Sequence, residues 1–168
     1  TAITVPLAGK LSDMYGRRPM LIIGVTVFTL GSLLSGLSPS VEWLIAWRAL
    51  QGIGGGIITS QAFTIVGDLF SPRERGRWQG LIGAVFGFSS VVGPLVGGLL
   101  TDGQHIFGLT TDWRWTFFIN VPIGIAAGVI VAMNLPNIKH DTKHYPDYKG
   151  AALLSLALAS IVLAVDNT

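Results

Sequence analysis

Four stretches of this chain, 19–37, 41–66, 76–100 and 113–135, stay apolar for about 20 residues or more and carry few charges. As an α-helix, a segment of that length reaches across the roughly 30 Å hydrocarbon core of a bilayer, and it pairs its own peptide groups where no water can do so. Two partial stretches flank them: 1–11 reads as the tail of a span already under way, and 151–165 as a further span that meets the end of the sequence. Hydrophobic residues make up 50% of the 168, charged residues 12%, and mean hydropathy is +0.60, which excludes an ordinary water-soluble domain. The chain opens on Thr rather than Met and lacks the basic, apolar, small-residue order of a signal peptide, as expected of a segment of a longer protein.

The net charge of +2 could suggest a nucleic-acid partner, but the positions of the charges argue against one. Lys10, Arg17 and Arg18 fall in the first connection, Arg73, Arg75 and Arg77 in the third, and Lys139, Lys143 and Lys149 in the fifth; connections 38–40 and 101–112 contain no Lys or Arg. Basic residues concentrate on the cytoplasmic side of inserted helices, so 10–18, 71–77 and 136–150 are expected inside the cell. A connection as short as Ser38-Pro39-Ser40 makes its two helices antiparallel neighbours. The expected architecture is therefore an all-α, polytopic up-down bundle in a cell membrane. Trp43, Trp47, Trp113 and Trp115 at the outer helix ends, and Trp78 near an inner end, fit interfacial belts. His140 and His144, four apart, offer two metal donors with no third ligand nearby, so no metal site is expected. Without Cys there is no disulfide or thiolate site.

Four clusters carry the functional signal. The first connection reads Gly9-Lys-Leu11-Ser-Asp13-Met-Tyr-Gly16-Arg17-Arg18-Pro19. Gly9 and Gly16 permit sharp turns, Pro19 suits the first turn of a helix, and Asp13 has Arg17 at i+4. Simple solvation of these charges is one reading, since an exposed pair contributes about 0–1 kcal/mol. The second cluster, Arg48-Ala-Leu-Gln51-Gly52-Ile-Gly54, sets a cation inside a span, which costs about 2.5–3.5 kcal/mol unless compensated. Arg48 lies seven residues past Val41, about 10 Å along a helix, so snorkelling to the nearby headgroups and facing a polar cavity both remain open. The third cluster places Gly80, Gly93, Pro94, Gly97 and Gly98 on one span, with Gly83/Gly87 and Gly93/Gly97 at the spacing that lets membrane helices approach closely. The fourth is Trp113-Arg114-Trp115-Thr-Phe-Phe-Ile-Asn120-Val-Pro122-Ile-Gly124. Asp68 and Glu74, near Arg73, Arg75 and Arg77, suggest a charge network or binding of anionic lipid. Asp166 is expected at the outer boundary of its span.

The first cluster resembles the loop between the second and third helices of major facilitator superfamily transporters, matching at Gly9, Leu11, Asp13, Gly16, Arg17 and Arg18. The second resembles that family's Arg-x-x-Gln-Gly pattern on the fourth helix through Arg48, Gln51 and Gly52. The third resembles its antiporter motif on the fifth helix, with Ser89 standing where a glycine is usual. The fourth is similar to a signature of the fourteen-helix drug:proton antiporters.

The resemblance implies part of the N-terminal half of a major facilitator fold. Residues 1–135 would hold the end of helix 2 through helix 6, 136–150 a cytoplasmic loop, and 151–168 the start of helix 7. It further implies export of hydrophobic or amphipathic compounds by proton antiport, with alternating access. Asp13 and the Arg17–Arg18 pair would latch this half to the other, Arg48 would answer protonation of an acidic partner, and the glycines around Pro94 would seal the cavity. The implied partners are the bilayer, a small-molecule substrate, protons and the remaining helices, and the proton gradient replaces any cofactor. Another coupling mode, such as symport or export of a dedicated metabolite, is the nearest alternative; a membrane enzyme or scaffold is more remote, since no buried catalytic cluster is visible.

Overall fold

A helix in lipid has no reason to hide its apolar side chains, and the computed structural model shows that inversion of the soluble pattern. It describes residues 4–101, 105–106, 109–110, 112–136 and 148–166. The helices are α1 (Thr4–Tyr15), α2 (Arg17–Gly36), α3 (Val41–Leu69), α4 (Pro72–Thr101), α5 (Trp115–Phe118), α6 (Asn120–Asn134) and α7 (Tyr148–Asp166). α2, α3, α4 and the nearly continuous α5–α6 unit, Trp115–Asn134, are each long and apolar enough to cross a membrane. The fold is thus the expected helical bundle. Its one addition is a two-residue antiparallel ladder in the connection after α4, β1 (His105–Ile106) with β2 (Leu109–Thr110), which sets His105 opposite Thr110.

Leu30, Ile45, Phe88, Val91 and Met133 all point outward, while the interior holds Ser12, Ser32, Ser35, Ser60, Gln51 and Gln61. Among the described residues a small apolar core forms, from Ala8, Met20 and Ile57 with Leu11 against them. Small and polar residues inside are what close helix packing in lipid selects, because burying Leu there gains nothing over leaving it in acyl chains. Hydroxyls that find no neighbour turn back on their own helix: Thr26, Thr29, Ser35, Thr59 and Thr64 each donate to the carbonyl four residues earlier, at 2.7–2.8 Å.

α2 is the centre of the packing, lying against α3 most extensively and against α6 on another side, while α1 fits between α2 and α3. Glycine makes the α2–α3 crossing possible. A Cβ on Gly31 would stand 2.7 Å from the backbone nitrogen of Gln51, and one on Gly54 would run into the backbone of Phe28. α4 is different: none of its residues is buried, and it touches only the ends of α3 and α5 among the described elements.

The helices are longer at their ends than hydropathy predicted. α1 continues through Gly9 and Asp13 to Tyr15, so the turn expected at Gly9 is absent, and the chain reverses at Gly16 alone, with φ of 99°. Arg17 and Arg18 belong to the first turn of α2 rather than to a loop. α3 runs to Leu69, and α4 starts at Pro72, where Glu74 reaches back to Ser71 as in one half of a capping box: the Ser71 hydroxyl and amide donate to Glu74 Oε2 at 2.8 and 3.3 Å. Residues 137–147, including Lys139, His140, Lys143 and His144, lie outside the described residues, as does the side chain of Asp166.

Candidate functional site

Arg17 organises one end of the bundle. Its side chain is only 5% exposed, and a buried guanidinium requires acceptors on every side. It finds Asp13 Oδ1 at 2.6 Å, one turn back across Gly16, and Asp68 Oδ2 at 2.7 Å, near the end of α3. Nη1 also donates to the Ser12 hydroxyl and, at 3.5 Å, to the carbonyl of Gly9. α1, α2 and α3 are thereby tied together by one cation. Arg18 donates instead to the carbonyl of Ala132, near the last turn of α6, where the helix dipole favours positive charge. Both arginines are thus engaged within this half, and Asp13, 44% exposed at its side chain, is the member of the cluster left partly open.

This geometry reassigns the charges around 68–77. Asp68 pairs with Arg17 rather than with the arginines that follow it in sequence. Glu74 is held by Ser71, and Arg75 closes the end of α3 by donating to the carbonyls of Gly67, at 2.6 Å, and Phe70, at 3.1 Å. Beside it, Gln61 is fully buried on α3. Its amide donates to the carbonyl of Ala8 at 3.3 Å, and its Oε1 has no partner among the described residues.

Arg48 occupies the other half of α3. Its Nη1 donates to Gln51 Oε1 at 2.9 Å, one helical turn on, and its guanidinium lies 5.4 Å from the centre of the Phe117 ring. No described carboxylate pairs with it. Arg48 and Gln51 come together as their spacing predicted, whereas Gly52 contributes no side chain to the pair.

At this same end the fourth cluster becomes a clasp between α2 and the α5–α6 unit. The Ser32 hydroxyl donates to the carbonyl of Phe117 at 2.9 Å and accepts from Asn120 Nδ2 at 3.1 Å. Arg114 donates to the carbonyl of Gly36 at 3.2 Å and so closes the end of α2. Its backbone N–H is taken by Asp112 Oδ1 at 2.8 Å, and its guanidinium stacks over Trp113 at 5.1 Å. Gly124 is buried against Thr29, whose hydroxyl a Cβ would strike. Pro122 follows Asn120 in the first turn of α6, where its missing N–H leaves no bond unmade.

Among the described residues no neighbour fills the space beside the glycines of the third cluster. Gly80, Gly93, Gly97 and Gly98 have open space where a Cβ would be, and α4 runs unbroken through Pro94. Sequence reading missed Asp68, Ser32, Thr29 and Gln61 as members of these clusters. The available signal was a polar residue in an otherwise apolar span, which is costly unless it has a partner.

An antiparallel bundle of apolar helices with a polar interior, a buried arginine knot at one end and an arginine on a membrane-length helix at the other defines a polytopic membrane protein. The sequence profile of the Major Facilitator Superfamily matches residues 1–165, and the chain belongs to that family. It is 42% identical over 163 residues to Multidrug resistance protein 3 of Bacillus subtilis (strain 168), an alignment that covers 96% of this chain and 30% of that protein. It is 37% identical over 161 residues to Multidrug transporter protein MdtP of the same organism, with coverages of 96% and 28%. Efflux pump dotC of Dothistroma septosporum is 41% identical over 157 residues, with coverages of 93% and 25%. The chain thus spans less than a third of the length of these relatives. Its fold also matches the crystal structure of a mutant of peptide transporter POT in complex with sulfate, with a TM-score of 0.67 at 21% identity, over 98% of this chain and 34% of that one. These matches place the chain in a multi-pass membrane family whose relatives named here are transporters and efflux pumps.

Proposed function

We propose that this chain is a segment of a fourteen-helix secondary transporter that exports drugs or other hydrophobic or amphipathic compounds in exchange for protons, by alternating access. The observation that carries this reading is Arg48: a cation on a membrane-spanning helix, held by Gln51 and the Phe117 ring, with no described carboxylate beside it. A charge in that position costs several kcal/mol unless a polar cavity or an acid offsets it, and a carboxyl group that gains and loses a proton beside Arg48 would couple that cost to the proton gradient. The efflux and multidrug names of the relatives support the substrate class.

Within this scheme the half-exposed Asp13 contacts the second half of the transporter in one access state, while Arg17 and Arg18 hold the platform on which it stands. The open face of α4, with Gly80, Gly93, Pro94, Gly97 and Gly98, receives a helix outside this chain and seals the cavity. The arginine-rich end lies in the cytoplasm, the protein resides in the plasma or inner membrane, and neither a cofactor nor nucleic acid takes part.

Transport into inverted membrane vesicles carrying the full-length protein tests the proposal. A panel of dyes and drugs should accumulate only with an imposed pH gradient, and Arg48→Ala should abolish that accumulation while the protein still inserts and folds. Wild-type transport by Arg48→Ala would return Arg48 to a snorkelling anchor, and transport indifferent to pH would refute proton antiport.

A further inference from the structure

The arginine-rich end of the bundle has more cations than it uses. Asp13 and Asp68 are both committed to Arg17, Glu74 is committed to Ser71, and Arg75 to two carbonyls of α3. Arg73 and Arg77 are left exposed, with no partner among the described residues. They are four residues apart on α4 and so share one face of it, about 6 Å apart at the helical rise. Trp78 follows directly, its ring stacked on Phe70 with centroids 4.6 Å apart. Below them a groove of about 390 Å³ is lined by Arg77, Trp78, Gly80, Leu81 and Ala84. From Arg77 to Ala84 it descends about 10 Å along the helix, from headgroup depth into the hydrocarbon.

We propose that this groove is a binding site for an anionic phospholipid, with Arg73 and Arg77 holding the headgroup phosphate, Trp78 at the interface, and an acyl chain lying along Leu81 and Ala84, beside the glycine face of α4. The charge balance selects the ligand: two cations at the mouth without a described partner call for an anion, and each described acid at this end, Asp13, Asp68 and Glu74, already has a partner. The apolar wall selects an amphiphile over a soluble anion, because a free phosphate would leave Leu81 and Ala84 uncovered. Trp and Arg at headgroup depth above an aliphatic wall are suited to a lipid in both parts. The proposal needs only that the chain spans a membrane. It does not depend on which side the arginines face or on what the transporter carries.

The test is a titration of the delipidated, detergent-solubilised full-length transporter with phosphatidylglycerol, phosphatidylcholine or inorganic phosphate, read by native mass spectrometry and thermal unfolding. Phosphatidylglycerol is expected to bind selectively and raise the unfolding temperature. The double variant Arg73→Gln, Arg77→Gln should weaken that binding about thirtyfold, the sum of two interfacial cations. Ala84→Trp, which keeps both cations and fills the wall, should weaken it as well. Lys10→Gln, which removes one exposed charge at the same end outside the groove, should leave it nearly unchanged. Equal binding of phosphatidylcholine, equal protection by inorganic phosphate, or a loss in Lys10→Gln as large as half of that in the double variant on a logarithmic scale would each overturn the site, by pointing in turn to apolar adhesion, a free-anion site or diffuse surface charge.

Discussion

Arg17 and Asp68 are 51 residues apart in sequence and 2.7 Å apart in space, and the contrast with Asp13 shows how differently two carboxylates on one guanidinium can count. Asp13 is 44% exposed at its side chain, so water screens its pairing and the bond contributes at most about 1 kcal/mol. Asp68 is 18% exposed and faces a guanidinium with almost no other access to water, where losing the partner strands a buried charge. Asp68→Asn is therefore expected to destabilise the full-length protein by about 2 kcal/mol or more, and Asp13→Asn by less than about 1 kcal/mol. Thermal unfolding of the two variants in detergent checks the order, and a larger loss for Asp13→Asn would contradict it. The Asp13–Arg17 pair was legible in the sequence because opposite charges four residues apart in a short connection are close whatever path the chain takes between them. Asp68 was not, because nothing local distinguishes a carboxylate that reaches back to α2 from one that pairs with the adjacent Arg73 or Arg75.

Among the elements, α2 and the α5–α6 unit show how a string of letters becomes a joint. Ser32, Asn120 and the carbonyl of Phe117 form one hydrogen-bonded cluster, Arg114 closes α2 at Gly36, and Gly124 lets Thr29 sit where a side chain would be. Gly124→Val should force the helices apart, and overpacking of this kind costs about 1–3 kcal/mol. Gly128→Ala, one turn along the same helix, faces Val25 at an ordinary 3.7 Å and should be tolerated. A comparison of unfolding temperatures separates the two, and equal effects would mean that the clasp is not where the packing is tight. The existence of these helices was readable from hydropathy alone, since lipid asks only for length and apolarity. Their ends were not, because Gly9 is as compatible with the middle of α1 as with a turn, and Arg17 and Arg18 read as loop residues until their acceptors on other helices are known. The clasp was visible only as a pattern, since Ser32 is 88 residues from Asn120 and no spacing rule joins them.

At the scale of the whole molecule, Arg17, Arg18 and Arg75 gather at one end with Asp13, Asp68 and the end of α6, while Ser38 and Arg114 mark the opposite end. Sidedness follows from the distribution of positive charge, and it can be measured directly because this chain contains no Cys to be removed. In an otherwise Cys-free full-length protein, Cys at Lys10 should react with a membrane-impermeant maleimide only when the cytoplasmic face is exposed, and Cys at Ser40 from outside in intact cells. The reverse pattern would invert the topology. What hydropathy could not reveal at this scale is which face of α4 meets lipid and which meets protein, because glycine and leucine are both at ease in acyl chains.

α2 is pinned at both tips, by Arg17 and Arg18 at one end and by the Arg114 contact to Gly36 at the other. A rod fastened that way ties α1, α3 and α6 to itself, so a load applied at either tip of α2 reaches all three of its long neighbours.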